Sequence, residues 1–319
     1  MATSGEYHAG VEPKVDPDVQ PDMQPDLHVV EHVVVESQAG MRVDAVLVAM
    51  LPWRSRGELA SFVTRRAVTV GGRVCKKSRR LKAGELVRIV LPKAPEDLDA
   101  VRALPLDIVF EDDDLVVVNK PSGVAVHPSA GVQTLNLLRR LQLRYEEEAP
   151  DPNACPSVVH RLDRSTSGVI VYARRRELVA FYTGQFEART TAKTYVARVH
   201  GVVPQTGEWT WALRIDDATN VVVDRHGKPS RTAFERMETD GETSLVRVRP
   251  ITGRKHQIRI HFAHAGHPLC YDDLYGVDGQ PDVWPAGARL GLHAHVLELD
   301  HRNGERLRFE ASIPEALRA

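Results

Sequence analysis

The chain has 319 residues, 42% of them hydrophobic, enough to bury the cores of two ordinary domains. No apolar run approaches the roughly 20 residues of a membrane span, the N-terminus lacks a basic-then-apolar export signal, and Cys75, Cys155 and Cys270 fit neither a disulfide framework nor a zinc site; the expected setting is a reducing cytoplasm, away from membranes. The net charge of −1 hides a strong asymmetry: residues 1–40 hold eight Asp/Glu and one Lys, whereas residues 41–93 hold thirteen Lys/Arg against three Asp/Glu. Such segregation is expected of a basic binding module attached to a larger body.

In chain order, VEPKVDPDVQPDMQPDL sets proline beside acidic residues every few positions. That pattern blocks both helix and ladder, and it predicts a disordered acidic tail over residues 1–28. HVVEHVVVE (28–36) alternates as a strand. MRVDAVLVAMLP carries apolar residues at helical spacing up to Pro52. SRGELASFVTRRA opens on Ser55 as a candidate N-cap and sets Leu59, Phe62 and Val63 on one helical face. In VTVGGRV the Gly71-Gly72 pair predicts a tight hairpin, and LKAGELVRIVLP reads as a strand after a turn. Residues 29–93 therefore form a small basic α+β domain, and KAPEDLDAVRALP reads as a linker over 94–105.

The remainder, 106–319, is rich in strands. LDIVFEDDDLVVVNKP reads as two strands around an acidic turn, followed by the helix TLNLLRRLQLRY, the strand GVIVYA and the amphipathic helix RRELVAFYTGQFEAR. TAKTYVARVHG, GEWTWALRI, TNVVVD, SRTAFERME and TSLVRVRPI are strands by alternation and by β-branched or aromatic content. RKHQIRIHFAHAG is a short helix stopped by Gly266, and GLHAHVLELDH and RLRFEASIP close the set as strands. The fold class is α+β, a mixed and mostly antiparallel central sheet with flanking helices.

HRLDRSTSGVIVYAR (160–174) sets a lone carboxylate, Asp163, among Arg161, Arg164 and a Ser-Thr-Ser-Gly turn. Neighbouring guanidinium groups favour the ionised form, which is a poor general acid but a suitable nucleophile or stabiliser of developing positive charge. The structural alternative is a salt bridge in a surface turn. Three further segments bear on the choice. NKPSGVAVHPS (119–129) places Lys120 and His127 in a rigid loop, and TAKTYVARVHG puts Lys193 and Tyr195 on one side of a strand. TGRKHQIRIH (252–261) clusters Arg254, Lys255, His256, Arg259 and His261; if helical, 255 and 259 stack one turn apart while Ile258 projects elsewhere. A turn, an edge strand and a solvated basic face are their respective structural readings.

In this order, NKPSGVAVHPS, HRLDRSTSGVIVYAR, KTYVARVHG and TGRKHQIRIHFAHAGHPLCYDDLYG resemble the signature blocks of the RluA-type pseudouridine synthases, a likeness running from about residue 106 to the C-terminus. The basic segment over 41–92 is similar to the alpha-L RNA-binding module that often precedes this catalytic domain, with VTRRAVTVGGR in place of the usual glycine-Val-x-Val-Asn-Gly run. The resemblance implies isomerisation of uridine to pseudouridine in RNA, without cofactor or metal. Asp163 then matches the essential aspartate, Tyr195 the tyrosine that stacks on the flipped base and assists proton removal at C5, and Arg259 the arginine that pairs with the aspartate. Ile258 and Leu292 match apolar residues of the base pocket, and Arg161 a loop arginine that occupies the space of the extruded nucleotide. Lys193, Arg254 and Lys255 become phosphate clamps or supports. Arg42, Arg54, Arg56, Arg65, Arg66, Arg73, Lys76, Lys77, Arg79 and Arg80 become the RNA-binding cations of the N-terminal domain.

One position departs from the family pattern: Tyr271 of GHPLCYDDLYG stands where glycine is usual, and a side chain there reshapes a loop if φ is positive. The expected substrate is large-subunit ribosomal RNA, with transfer RNA as the alternative, acted on by a monomer. A non-catalytic RNA-binding or ribosome-assembly protein is the competing class. A hydrolase using His160 or His127 with Asp163 is a third, without an activated serine or cysteine to accompany it.

Overall fold

The computed structural model describes residues 27–51, 56–92, 97–128, 132, 134–151, 153–216, 220–276 and 288–318. The acidic tail therefore lies outside the described residues up to position 26, as do Arg54 and the Ser55 cap; Leu27 and His28, read as its end, instead open a strand. The chain divides into two compact units between residues 95 and 96.

The first unit contains β1 (Leu27–Val33), α1 (Val43–Met50), α2 (Arg56–Thr64), β2 (Val68–Val70), β3 (Arg73–Val74) and β4 (Leu86–Pro92). Its four strands are ordered β1-β4-β2-β3, all pairs antiparallel. The two helices bury residues at i, i+3 and i+4, namely Val43, Val46 and Leu47 from α1 and Leu59, Phe62 and Val63 from α2. These pack on Val68, Val70, Val87 and Ile89 of the sheet. Gly71 and Gly72 have φ of +57° and +76°, the two positive values that a tight hairpin turn between right-twisted strands requires.

In the second unit, the stretch read as a linker contains α3 (Leu98–Arg102). The Asp97 carboxylate caps it by accepting the Ala100 N–H at 2.9 Å, and Val101 is fully buried. Next come β5 (Ile108–Glu111), β6 (Leu115–Lys120), α4 (Leu137–Leu143), β7 (Ser157–Val158), β8 (Ser167–Ala173), α5 (Val179–Ala188) and β9 (Ala192–His200). They are followed by β10 (Thr206–Trp209), β11 (Leu213–Ile215), β12 (Val221–Val223), β13 (Thr232–Thr239), β14 (Thr243–Pro250), α6 (Gln257–His264), β15 (Leu292–Asp300), β16 (Arg306–Glu310) and α7 (Glu315–Arg318).

Ten strands form one sheet in the order β10-β13-β14-β9-β15-β8-β6-β5, with β16 also on β15 and β7 also on β8. Only the β15–β8 pair is parallel, so the sheet is mixed and mostly antiparallel as its alternation predicted. All seven residues of β8 are buried, which explains its continuous apolar run at mid-sheet. Gly168, the second residue of this strand, has φ of +108°, and a Cβ there would collide with the backbone of Ala294 on β15. Glycine is thus required where the loop bearing Asp163 enters the sheet.

GEWTWALRI, read as one strand, is two. The carbonyl of Trp211 is taken by the Ser230 hydroxyl and lies 3.1 Å from His261 Nε2, so the ladder stops after Trp209 and β11 pairs with β12 in a separate hairpin. Helix α6 starts at Gln257, because His256 takes a left-handed backbone (φ +52°, ψ +20°). Lys255 is consequently outside the helix, and the expected stacking of 255 on 259 does not arise.

Candidate active site

The loop between β7 and β8 brings Arg161 and Asp163 to one end of the sheet. Strand β9 brings Lys193 and Tyr195, the turn after β14 brings Arg254 and Lys255, α6 brings Ile258 and Arg259, and the start of β15 brings Leu292. All nine line one cleft of about 490 Å³. Ile258, which the resemblance assigns to an apolar base pocket, turns into that cleft and joins the apolar cluster of Leu292, Phe262 and Val248.

The Asp163 carboxylate is 22% accessible, neither on an outer surface nor sealed in the core. Its loop is stitched to NKPSG at several points. Lys120, fully buried, donates from Nζ to the carbonyls of Pro121 (2.8 Å), Val124 (2.7 Å) and Arg164 (2.9 Å). Arg164 Nε donates to the Gly123 carbonyl at 2.8 Å, and the Ser122 hydroxyl donates to that of Ser165 at 2.6 Å. Burial pulls the Lys120 ammonium down to about pKa 7, against the opposing pull of the Asp163 carboxylate. His160 Nε2 accepts the Val171 N–H at 3.0 Å and its ring stacks on Phe186 at 4.3 Å, tying the other end of the loop to β8. The histidines of the hydrolase reading are thus engaged with the backbone, His127 Nδ1 lying 2.7 Å from the Pro128 carbonyl oxygen.

The expected ion pair between Arg259 and Asp163 is absent. Arg259 instead donates to both oxygens of Asp272, at 2.8 Å and 2.5 Å, and to Asp273 at 2.8 Å. Asp272 is fully buried and geometrically suited to a guanidinium fork, and its Oδ1 also accepts the N–H groups of Leu274 and Tyr275, each at 3.0 Å. The backbone turn that delivers it is made by Tyr271, whose φ of +56° lies in the left-handed region usually filled by glycine. Asp163 acts on Arg259 only at longer range, as one of the charges that raise its pKa.

Two basic or acidic groups of the cleft have displaced titrations. Burial, with Arg189, lowers the Lys193 pKa, and burial, with the Asp163 charge, raises that of the Tyr195 phenol, which is therefore neutral at physiological pH. Sequence reasoning missed Asp272, Tyr275 and His256 as parts of the site. The first two were present in the CYDDLYG block and the third in the basic cluster, but nothing in their spacing showed that the chain folds them around Arg259.

In the first unit, Arg65, Arg66, Arg73, Lys76 and Lys77 are exposed and form no ion pair among the described residues. Arg42 is paired with Asp44 at 2.9 Å and Arg79 with Glu85 at 2.7 Å, while Arg80 donates to the Gly40 carbonyl at 2.8 Å. Arg56 opens α2, and its side chain lies outside the described residues. Among the described residues no cluster of His, Cys, Asp or Glu is arranged to hold a metal, and no helix is long and apolar enough to cross a membrane.

Residues 114–264 match the RNA pseudouridylate synthase family, and residues 41–87 match the S4 domain. The ribosomal large subunit pseudouridine synthase D of Neisseria meningitidis is 37% identical over 289 residues, covering 87% of this chain and 77% of the relative. The ribosomal large subunit pseudouridine synthase C of Haemophilus influenzae is 34% identical over 312 residues, covering 90% and 92%. Among solved structures, human RNA Pseudouridylate Synthase Domain Containing 4 is similar with a TM-score of 0.56 at 25% identity, covering 68% of this chain and 92% of that one. With three of the four ordered blocks lining one cleft, the fourth bracing the Asp163 loop, and relatives matched over most of their length, the chain belongs to the RluA-type RNA pseudouridine synthases that carry an N-terminal S4 domain.

Proposed function

We propose that this enzyme isomerises uridines of large-subunit ribosomal RNA, as a cytoplasmic monomer without cofactor, and that Asp163 performs the chemistry on a nucleoside turned out of its stack. The observation that carries this reading is the convergence on a single cleft of nine side chains, eight from three of the signature blocks and Leu292 from the later strand GLHAHVLELDH. The names of the bacterial relatives support the choice of RNA.

The reaction breaks the N1–C1′ bond and forms C5–C1′. The proton leaves C5 and N1 gains one, so atoms and electrons balance without an external reactant. A carboxylate beside the ribose suits either attack on the nucleoside or removal of a ribose proton. Tyr195, neutral and on the same face of β9 as Lys193, sits where a base can stack on its ring, with Ile258 and Leu292 supplying the apolar remainder. Arg161, Lys193, Arg254 and Lys255 give the cleft the positive potential needed to draw in a phosphodiester backbone. Extruding a base costs a few kcal/mol, and phosphate contacts on the exposed cations of the S4 domain offset that cost.

Mapping pseudouridines in total RNA from wild-type cells, deletion cells and deletion cells carrying Asp163→Asn tests this directly. Loss of specific large-subunit sites in both mutant strains is expected. Loss from transfer RNA alone would move the substrate, and unchanged sites in the Asp163→Asn strain would remove catalysis from the reading.

A further inference from the structure

Among the described residues, the one basic side chain at ion-pair distance from the Asp163 carboxylate is His256, whose Nε2 lies 3.8 Å from Oδ1. We propose that His256 is a positioning residue for Asp163, holding one carboxylate oxygen through Nε2 so that the other is directed at the extruded nucleoside. This inference rests on the pseudouridine synthase reading of the cleft.

Three independent features of the geometry converge on the imidazole. First, His256 occupies the left-handed backbone region, uncommon outside glycine, immediately before α6, and this turn sets it apart from the helix that presents Arg259. Second, the side chain is only 14% accessible and its other nitrogen, Nδ1, lies 2.9 Å from the Tyr275 hydroxyl. A hydroxyl donating to Nδ1 leaves the imidazole proton on Nε2, the nitrogen that faces the carboxylate. Third, Tyr275 is itself fixed. The Arg259 guanidinium lies 5.3 Å from its ring centroid, and its N–H donates to Asp272 at 3.0 Å. A continuous line of contacts thus runs from the Asp272–Arg259 pair through Tyr275 and His256 to Asp163. The arginine reaches the aspartate through this relay where a direct salt bridge was expected.

The charged groups around the imidazole are Asp163 from the loop before β8, Arg259 from α6, Lys255 from the preceding turn and Asp272 from the loop after α6. Burial is the largest influence and, together with the two cations, outweighs the two carboxylates, so His256 titrates below its ordinary range and is neutral near pH 7. A neutral N–H donor orients a carboxylate without neutralising it. At 3.8 Å the contact is electrostatic, and a shift of about an ångström makes it a hydrogen bond.

The test uses the full chain and begins without RNA. The ring resonance of His256, assigned by its loss in His256→Gln, is titrated in wild type and in Asp163→Asn. Removing the carboxylate should lower the midpoint, since the Asp163 charge is the largest influence that raises it. Kinetics on in vitro transcribed large-subunit ribosomal RNA then separate positioning from folding. His256→Asn keeps a residue that tolerates the left-handed backbone, yet its amide is too short to reach Asp163 while bonded to Tyr275. Its kcat should fall roughly tenfold to a hundredfold with KM within about twofold, the scale of a misdirected reacting group. His256→Gln should recover part of that loss and abolish any acid limb of the kcat profile that follows the wild-type midpoint. An unmoved midpoint in Asp163→Asn, or full turnover in His256→Asn, would overturn the proposal. A moved midpoint in Asp163→Asn, together with a wild-type protein that forms no pseudouridine, would instead reject the reading of the cleft and leave the contact standing.

Discussion

In the S4 unit, Arg65, Arg66, Arg73, Lys76 and Lys77 stand exposed and without ion pairs among the described residues. In the catalytic unit, Arg259 is 3% accessible and clamped by a fully buried Asp272 and by Asp273. The same kind of charge is used for opposite ends. An exposed cation keeps its hydration until a phosphate arrives, so it contributes affinity that salt weakens and leaves stability almost untouched. A buried pair has already lost its water, so it contributes a fixed geometry, and removing one partner strands the other. The buried pair thus fixes a local geometry in the cleft, whereas the exposed cations of the S4 unit keep their hydration.

The largest expected effect comes from breaking the buried pair. Asp272→Ala leaves the Arg259 guanidinium without its fork partner and should cost about 3–5 kcal/mol in thermal or denaturant unfolding, with turnover lost as Tyr275 and His256 shift. The double variant Asp272→Leu with Arg259→Met should regain much of the stability and none of the activity, because an apolar pair needs no hydration. A single variant as stable as wild type would break the contrast between the two regions.

A smaller effect comes from a buried neutral base. His293, 1% accessible, has Nδ1 2.7 Å from the Ser167 hydroxyl and Nε2 3.3 Å from the Ala311 carbonyl, partners that fit a neutral ring. Burial is the main cause that brings its pKa down to about 4. The unfolded chain, with an ordinary histidine near 6.5, takes up this proton first, so the stabilisation is complete above about pH 6.5 and is lost as pH falls toward 4. By pH 5.5 the loss amounts to roughly 1 kcal/mol. Unfolding of His293→Asn should have a correspondingly flatter pH dependence over that interval, and identical slopes would show that the ring is not held neutral.

The smallest effect on stability, and the clearest on binding, belongs to the S4 surface. Lys76→Gln with Lys77→Gln should leave unfolding within about 0.5 kcal/mol of wild type. If both contact phosphate, the slope of log affinity against log salt should fall by roughly 1.4 to 1.8. An unchanged slope would mean that RNA is gripped elsewhere.

Much of the fold was legible because it rests on local rules. Gly71-Gly72 marked its hairpin, the apolar run GVIVYA marked a strand, and Lys193 and Tyr195 share a face because strands alternate. Helix α3 escaped because five residues with one buried valine show little periodicity, and its only marker, the Asp97 cap, stood in a proline-flanked stretch. The break after Trp209 depended on Ser230 and His261, distant in sequence, capturing the Trp211 carbonyl. Resemblance named residues that the fold brings to one cleft, yet it did not give their pairing. Whether Arg259 meets Asp163 or Asp272 depends on the left-handed turn at Tyr271 and on which carboxylate is buried, neither of which composition or spacing encodes.

The most direct test of the account compares purified wild type and Asp163→Asn on the same large-subunit RNA, measuring pseudouridine formation and RNA affinity side by side. The account predicts turnover reduced by about a thousandfold or more with affinity within about twofold, because the carboxylate acts on the nucleoside and the cations hold the backbone. Turnover within a few-fold of wild type would contradict it.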